Sequence, residues 1–160
     1  MAWQDNIHYL REAVKVSQKA REHGNTPFGA ILVDADGNVI LEQENIEITT
    51  SDCTGHAETA LMARASKLYT KAQLWQCTLF STAEPCAMCS GAIYWGNVGR
   101  VVYGISENSL LALTGSNEQN PTFTLPCREI FARGQKTIEV IGPVPEVEQE
   151  VLAVHQGYWK

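Results

Sequence analysis

A chain of 160 residues with 44% hydrophobic and 19% charged content is long enough for one domain with a sizeable core, and its composition is that of an ordinary globular protein. Its formal net charge of -6, with 12 Lys and Arg scattered among 18 Asp and Glu, argues against a surface built to follow a polyanion. No apolar run reaches the ~18 residues of a membrane span, and the start Met1-Ala2-Trp3-Gln4-Asp5-Asn6 lacks the basic and apolar blocks of a signal peptide. The expectations are a single domain over 1–160, a cytoplasmic location and no membrane partner. The cysteines Cys53, Cys77, Cys86, Cys89 and Cys127 are odd in number and include one close pair, which fits a reducing compartment better than a disulfide framework.

In chain order, Ile7, Leu10 and Val14 recur at helical steps and predict a helix over 5–23, ended by Gly24-Asn25. The apolar run 28–34, the turn signal Asp36-Gly37 and the stretch 39–44 predict an antiparallel hairpin. Residues 45–53 read as irregular, and Asp52 or Thr54 is placed to cap a helix carrying His56 and running to about Leu68. A third strand over 75–81, a turn at 82–85, a helix over 86–95 stopped by Gly96-Asn97, and a fourth strand over 100–105 follow. Helices that alternate with strands imply parallel pairing and a layered α/β sandwich. Residues 106–126 read as a long loop; a short helix over 128–133, a strand over 137–141 and a last helix over 146–155 complete the chain.

Two short stretches carry the chemistry. Cys86 and Cys89, placed on the first turn of a helix after Pro85, put two sulfurs on one face. With His56 they make a three-ligand zinc site whose fourth position stays open, the mark of a catalytic rather than a structural metal. A redox pair has no need of His56 and Glu58 upstream, and a structural site needs a fourth ligand that only Cys127, beside Pro126, could offer. Zinc, held by His56, Cys86 and Cys89, is therefore the expected cofactor. Glu58, alone a solvated helix charge, becomes beside a metal the expected proton carrier for a metal-activated water. His8, His23 and His155 have no such companions and read as surface or core residues.

These stretches, with Pro27-Phe28-Gly29-Ala30, Asn45, Thr54-Gly55-His56-Ala57-Glu58 and the run from Glu84 to Trp95, resemble the cytidine deaminase superfamily. Within it they are similar to the branch of guanine deaminases, fungal-type cytosine deaminases and bacterial tRNA adenosine deaminases; His-x-Glu followed by Pro-Cys-x-x-Cys is the zinc nucleobase deaminase pattern. The resemblance covers roughly residues 5–105. It implies a three-layer α/β/α sandwich around a five-stranded mixed sheet. It also implies that Asn45, whose amide both donates and accepts, meets the base edge, with a turn residue as the alternative. Phe28 either walls the pocket or sits in the core, and the backbone amides of Ala57 and Cys86 meet the substrate oxygen. The run Gly91-Ala92-Ile93-Tyr94-Trp95 resembles guanine deaminases, where the Trp95 indole packs near the purine. Tyr158-Trp159 resembles the aromatic tail that closes their sites; a core-docked or exposed terminus is the alternative.

The expected activity is zinc-dependent hydrolytic deamination of a free nucleobase, guanine to xanthine plus ammonia. Guanosine, cytosine, isocytosine, an aminotriazine and tRNA adenosine are the alternatives, because residues 106–134 depart from the guanine deaminase pattern. The expected partner is a small-molecule nucleobase and not nucleic acid. The family implies a homodimer, for which Ile93, Tyr94, Trp95, Leu110 and Leu111 are interface or core residues.

Overall fold

The computed structural model describes residues 1–159. Five strands, β1 Gly29–Val33, β2 Val39–Glu44, β3 Thr78–Ala83, β4 Arg100–Ile105 and β5 Glu139–Ile141, form one sheet in the order β2-β1-β3-β4-β5. β1 runs antiparallel to β2 and β3, while β3, β4 and β5 run parallel. The sheet is mixed, as expected, because a tight turn joins β1 to β2 whereas helical crossovers join the last three strands.

Side chains alternate across the pleat and so feed two cores. Ala30, Leu32, Leu79, Val101 and Tyr103 face α3 (Ala57–Leu68), α5 (Ala87–Gly96) and α7 (Cys127–Ala132). Ile31, Val33, Phe80 and Val102 face α1 (Trp3–Glu22) and α8 (Glu148–His155). Three layers result. At Gly29 the contact with α1 leaves no space for a side chain: a Cβ there would sit 2.5 Å from the Ser17 amide nitrogen and 2.8 Å from the Ala13 carbonyl oxygen.

Local chemistry explains where the elements depart from the sequence reading. The stretch 45–53 holds a one-turn helix, α2 (Glu47–Thr50), and Asp52 does not cap the next helix. Its carboxylate instead accepts from the Thr54 amide at 2.9 Å and the Thr54 hydroxyl at 2.6 Å, tying off the loop, and His56 itself takes the cap position of α3. A capping box between Thr70 and Gln73 makes α4 (Lys71–Trp75) where the strand reading had already begun, so β3 starts only at Thr78. Ser106, whose hydroxyl accepts from the Ser109 amide at 3.1 Å, starts α6 (Glu107–Thr114) inside the supposed loop. The last helix opens as a 3-10 turn, Pro145–Val147.

Parallel β3 and β4 finish level, with Ala83 opposite Ile105 and the Glu84 amide bonded to the Ile105 carbonyl at 2.8 Å. The chain enters α5 and α6 from these two carboxyl ends, and that is where open parallel sheets bind ligands.

Candidate active site

The amino ends of α3 and α5 meet beside those strand ends. His56 caps α3 and Cys86 caps α5, with Cys89 on the first turn of α5. Nδ1 of His56 lies 3.5 Å from Sγ of Cys86 and 3.7 Å from Sγ of Cys89. Two ligands on one tetrahedral zinc, with bonds of about 2.0–2.1 Å to nitrogen and about 2.3 Å to sulfur, stand about 3.6 Å apart. The three donor atoms, all within 4.8 Å of one another, thus have the spacing and the chemistry of a zinc site.

Neighbouring groups hold the donors. The Thr59 hydroxyl donates to Sγ of Cys89 at 3.1 Å, and the Ser90 hydroxyl donates to the Pro85 carbonyl at 3.2 Å. Glu47 brings a carboxylate oxygen 3.7 Å from Nε2 of His56, which places a negative group on the ring's far side. Among the protein groups alone, hydrogen bonds from Cys89 and His56 pull the Cys86 thiol down, and its partner Cys89 is pushed up. The bond to Cys86 raises His56 to about 9.

Glu58 is buried on the first turn of α3. Burial, followed by the nearby Cys86 sulfur, pushes its carboxyl up to about 7. The cavity in front of these groups has a volume of about 300 Å³. Phe28, Asn45, Glu47, His56, Glu58 and Cys86 line one side; Glu107, Leu110 and residues 119–123 line the other. Asn45 is buried, and its side-chain oxygen accepts from the Glu47 amide at 3.0 Å. Its amide nitrogen has no partner among the described residues.

A family model described as the cytidine and deoxycytidylate deaminase zinc-binding region matches residues 3–105, which contain every one of these metal donors. The chain belongs to this family. It is a deaminase with zinc as its cofactor. A Schizosaccharomyces pombe protein named probable cytosine deaminase is 42% identical over 154 residues, covering 96% of this chain and 92% of the relative. Guanine deaminase of Bacillus subtilis is 40% identical over 96 residues, 59% of this chain and 61% of that one. A structure solved in a study of A-to-I editing by tRNA:A34 deaminases superposes with a TM-score of 0.73 at 26% identity, over 92% of this chain and 99% of the other. The cytidine deaminase-like sandwich anticipated from the motifs is the fold observed.

Within this deaminase, the metal donors and Glu58 come together as the motif spacing required, and Phe28 and Asn45 reach the cavity. Ala57 is the first residue of α3, its backbone amide at the helix start. Two residues expected at the substrate are placed elsewhere. Trp95 lies at the far end of α5, 75% exposed and outside the cavity lining, because α5 carries it away from Cys86. Tyr158 also lies outside the lining; its ring packs under the Arg21 guanidinium, 5.6 Å away. Trp159 is the tail residue that approaches the site, with its ring 6.3 Å from Phe28 and its indole N–H donating to Nδ1 of His155 at 2.9 Å.

Sequence reasoning missed Glu47, Thr59, Glu84 and Glu107. Glu84 was visible beside Pro85, but its task was not: its two carboxylate oxygens accept the backbone amides of Glu107 and Cys127, each at 3.0 Å, and so pin the starts of α6 and α7.

Proposed function

We propose that this deaminase acts on a free nucleobase, converting guanine and water to xanthine and ammonia. The observation that carries the reading is the charge of the cavity wall. Its lining includes four glutamates, Glu47, Glu58, Glu84 and Glu107, and no lysine or arginine. A nucleotide or an RNA loop brings phosphate, which needs cationic or amide donors near the ring site, and this lining has no lysine or arginine to offer. At about 300 Å³ the cavity is also at the small end of ligand sites, which suits a ring without its sugar.

Zinc, bound by His56, Cys86 and Cys89, would supply a Lewis acid that makes water nucleophilic near neutral pH. Glu58 would carry one proton of the attacking water to the ring nitrogen and then the second, from the resulting hydroxyl, to the departing amine. A carboxyl raised to about 7 suits both receipt and release. The free amide nitrogen of Asn45 would donate to an acceptor on the ring, and Phe28 would close one side of the slot. The carbon–nitrogen bond breaks, a carbon–oxygen bond forms, and ammonia leaves.

Deamination of cytosine to uracil is the second reading. The alignment with the Schizosaccharomyces pombe relative favours it, because 154 aligned residues take in nearly all of the cavity's far wall. Ammonia release by the zinc-loaded protein on guanine, cytosine, isocytosine, guanosine, cytidine and a tRNA anticodon stem-loop tests both. Turnover of a free base, with none on the stem-loop, is expected. Turnover of the RNA alone would refute the reading.

A further inference from the structure

The wall facing the metal donors contains a carboxylate that nothing in the chain explains. Glu107 is the first residue of α6, is only 5% exposed and lines the cavity together with His56, Glu58 and Cys86. Its carboxylate has no hydrogen-bond or ion-pair partner among the described residues. Burial, followed by the nearby Cys86 sulfur, pushes its carboxyl up to about 8, and the cavity it faces is where a ligand can supply the partners that the chain does not.

Glu84 shows what a structural carboxylate looks like in the same place. It is equally buried, and both of its oxygens are bonded to backbone amides. One of those amides belongs to Glu107 itself, so the main chain at the start of α6 is held without any help from the Glu107 side chain. Nor does Glu107 join the metal donors, since the cluster of donor atoms within 4.8 Å of one another comprises His56, Cys86 and Cys89 alone among the described residues. The lining holds no lysine or arginine to pair with it.

We propose that Glu107 is a specificity-determining residue whose carboxylate accepts an N–H of the bound ring, so that the site selects neutral, donor-rich heterocycles. The identity of the ring rests on the free-base reading above. A free base presents an N–H where a nucleoside carries its sugar, and guanine and cytosine both offer one. A carboxyl oxygen that accepts rewards that N–H and offers a sugar or phosphate no donor of equal worth, which joins the wall to the choice of substrate.

The test uses Glu107→Gln in the full, zinc-loaded chain. The substitution keeps the shape and leaves the bond between Glu84 and the backbone intact. Where the wild type turns over a free base, kcat/KM of the variant should fall about 10- to 100-fold, the value of one hydrogen bond to a charged group. The loss should appear mainly in KM, with zinc content unchanged. Calorimetric binding of hypoxanthine and of 2-hydroxypyrimidine, the guanine and cytosine rings without the reacting amine, should weaken by a similar factor. The melting temperature should stay level, because the Glu107 side chain bonds to no other group among the described residues and the Glu84 anchor is untouched.

Free-base turnover with wild-type KM and binding in the variant would overturn the assignment and leave the free-base reading standing. A fall in melting temperature, with all substrates weakened alike, would make Glu107 structural and also overturn it. Wild-type turnover of a nucleoside or RNA only would refute the free-base reading and, because the sugar then replaces that N–H, the assignment of Glu107 with it. No turnover of any compound by the wild type would overturn both.

Discussion

Glu84 and Glu107 are both buried glutamates in one wall, yet they should respond oppositely to the same substitution. In Glu84→Gln one oxygen survives and keeps a neutral hydrogen bond to a backbone amide. The other becomes an amide nitrogen, which faces the N–H of either Glu107 or Cys127. Hydrogen bonds to a charged group contribute about 1.5–3 kcal/mol each, and a buried donor left without a partner costs about 1–3 kcal/mol. One bond lost, one weakened and one orphaned N–H together give a loss of about 3 kcal/mol. For a domain of this length that is a fall in melting temperature of about 6–12 °C. Thermal melts of the zinc-loaded wild type and variant at pH 7, followed by circular dichroism, measure it. Because α6 and α7 lose their anchor, kcat/KM on the accepted base should fall as well. A shift of less than about 2 °C would show that the two amides find other partners, and the role assigned to Glu84 would be wrong.

Glu58→Gln should lower kcat by about 10²–10⁴-fold while the protein still binds one zinc, measured by ammonia release and metal analysis, since Glu58 is not among the clustered donors. Loss of zinc together with activity would refute its role as proton carrier. His155 is buried, and desolvation followed by the charge of Arg21 lowers its pKa from 6.5 to about 4. The unfolded chain therefore binds this proton first: the stability that His155 contributes is complete above pH 6.5 and drains away as pH falls towards 4, by about 3 kcal/mol in all. Urea titrations across that range should show the loss, and His155→Gln, which still offers Trp159 an acceptor, should flatten it. Gly29→Ala should cost about 3 kcal/mol or prevent accumulation, because its Cβ would strike three backbone atoms of α1, and a urea midpoint within error of wild type would contradict the packing described.

The metal centre was legible because its donors are few, chemically distinctive and set by local spacing. Cys86 and Cys89 need only one helical turn to converge, and the pairing of β3 with β4 brings the rest of the site to one sheet end. The strands were legible where turns are explicit, as at Asp36-Gly37. The stop read at Gly96-Asn97 is where α5 ends: Asn97 takes the left-handed conformation, with φ of 72°, and Gly96 is the last helical residue, beneath the Met62 methyl group. What failed depended on tertiary context. Trp95 follows the motif closely in sequence, but it is the ninth residue of α5, and the helix carries it off the cavity. Helix α6 was hidden because its Ser106 cap and its leucines lie in a stretch rich in Asn, Ser and Gly. With α6 unseen, Glu107 could not be placed at the cavity. The roles of Glu84 and Thr59 rest on contacts with residues far away in the chain, which no periodicity records.

The cavity draws its two sides from different lengths of the chain. His56, Glu58, Cys86 and Cys89 all precede residue 105, where the family match ends, while Glu107, Leu110 and residues 119–123 follow it. The metal donors and Glu58, with Phe28 and Asn45, are thus written in one passage, and the far wall of the cavity in the next. A change in the second passage alters the far wall of the cavity and leaves the metal donors in place. The wide spread of substrates named among such similar proteins is what that division permits.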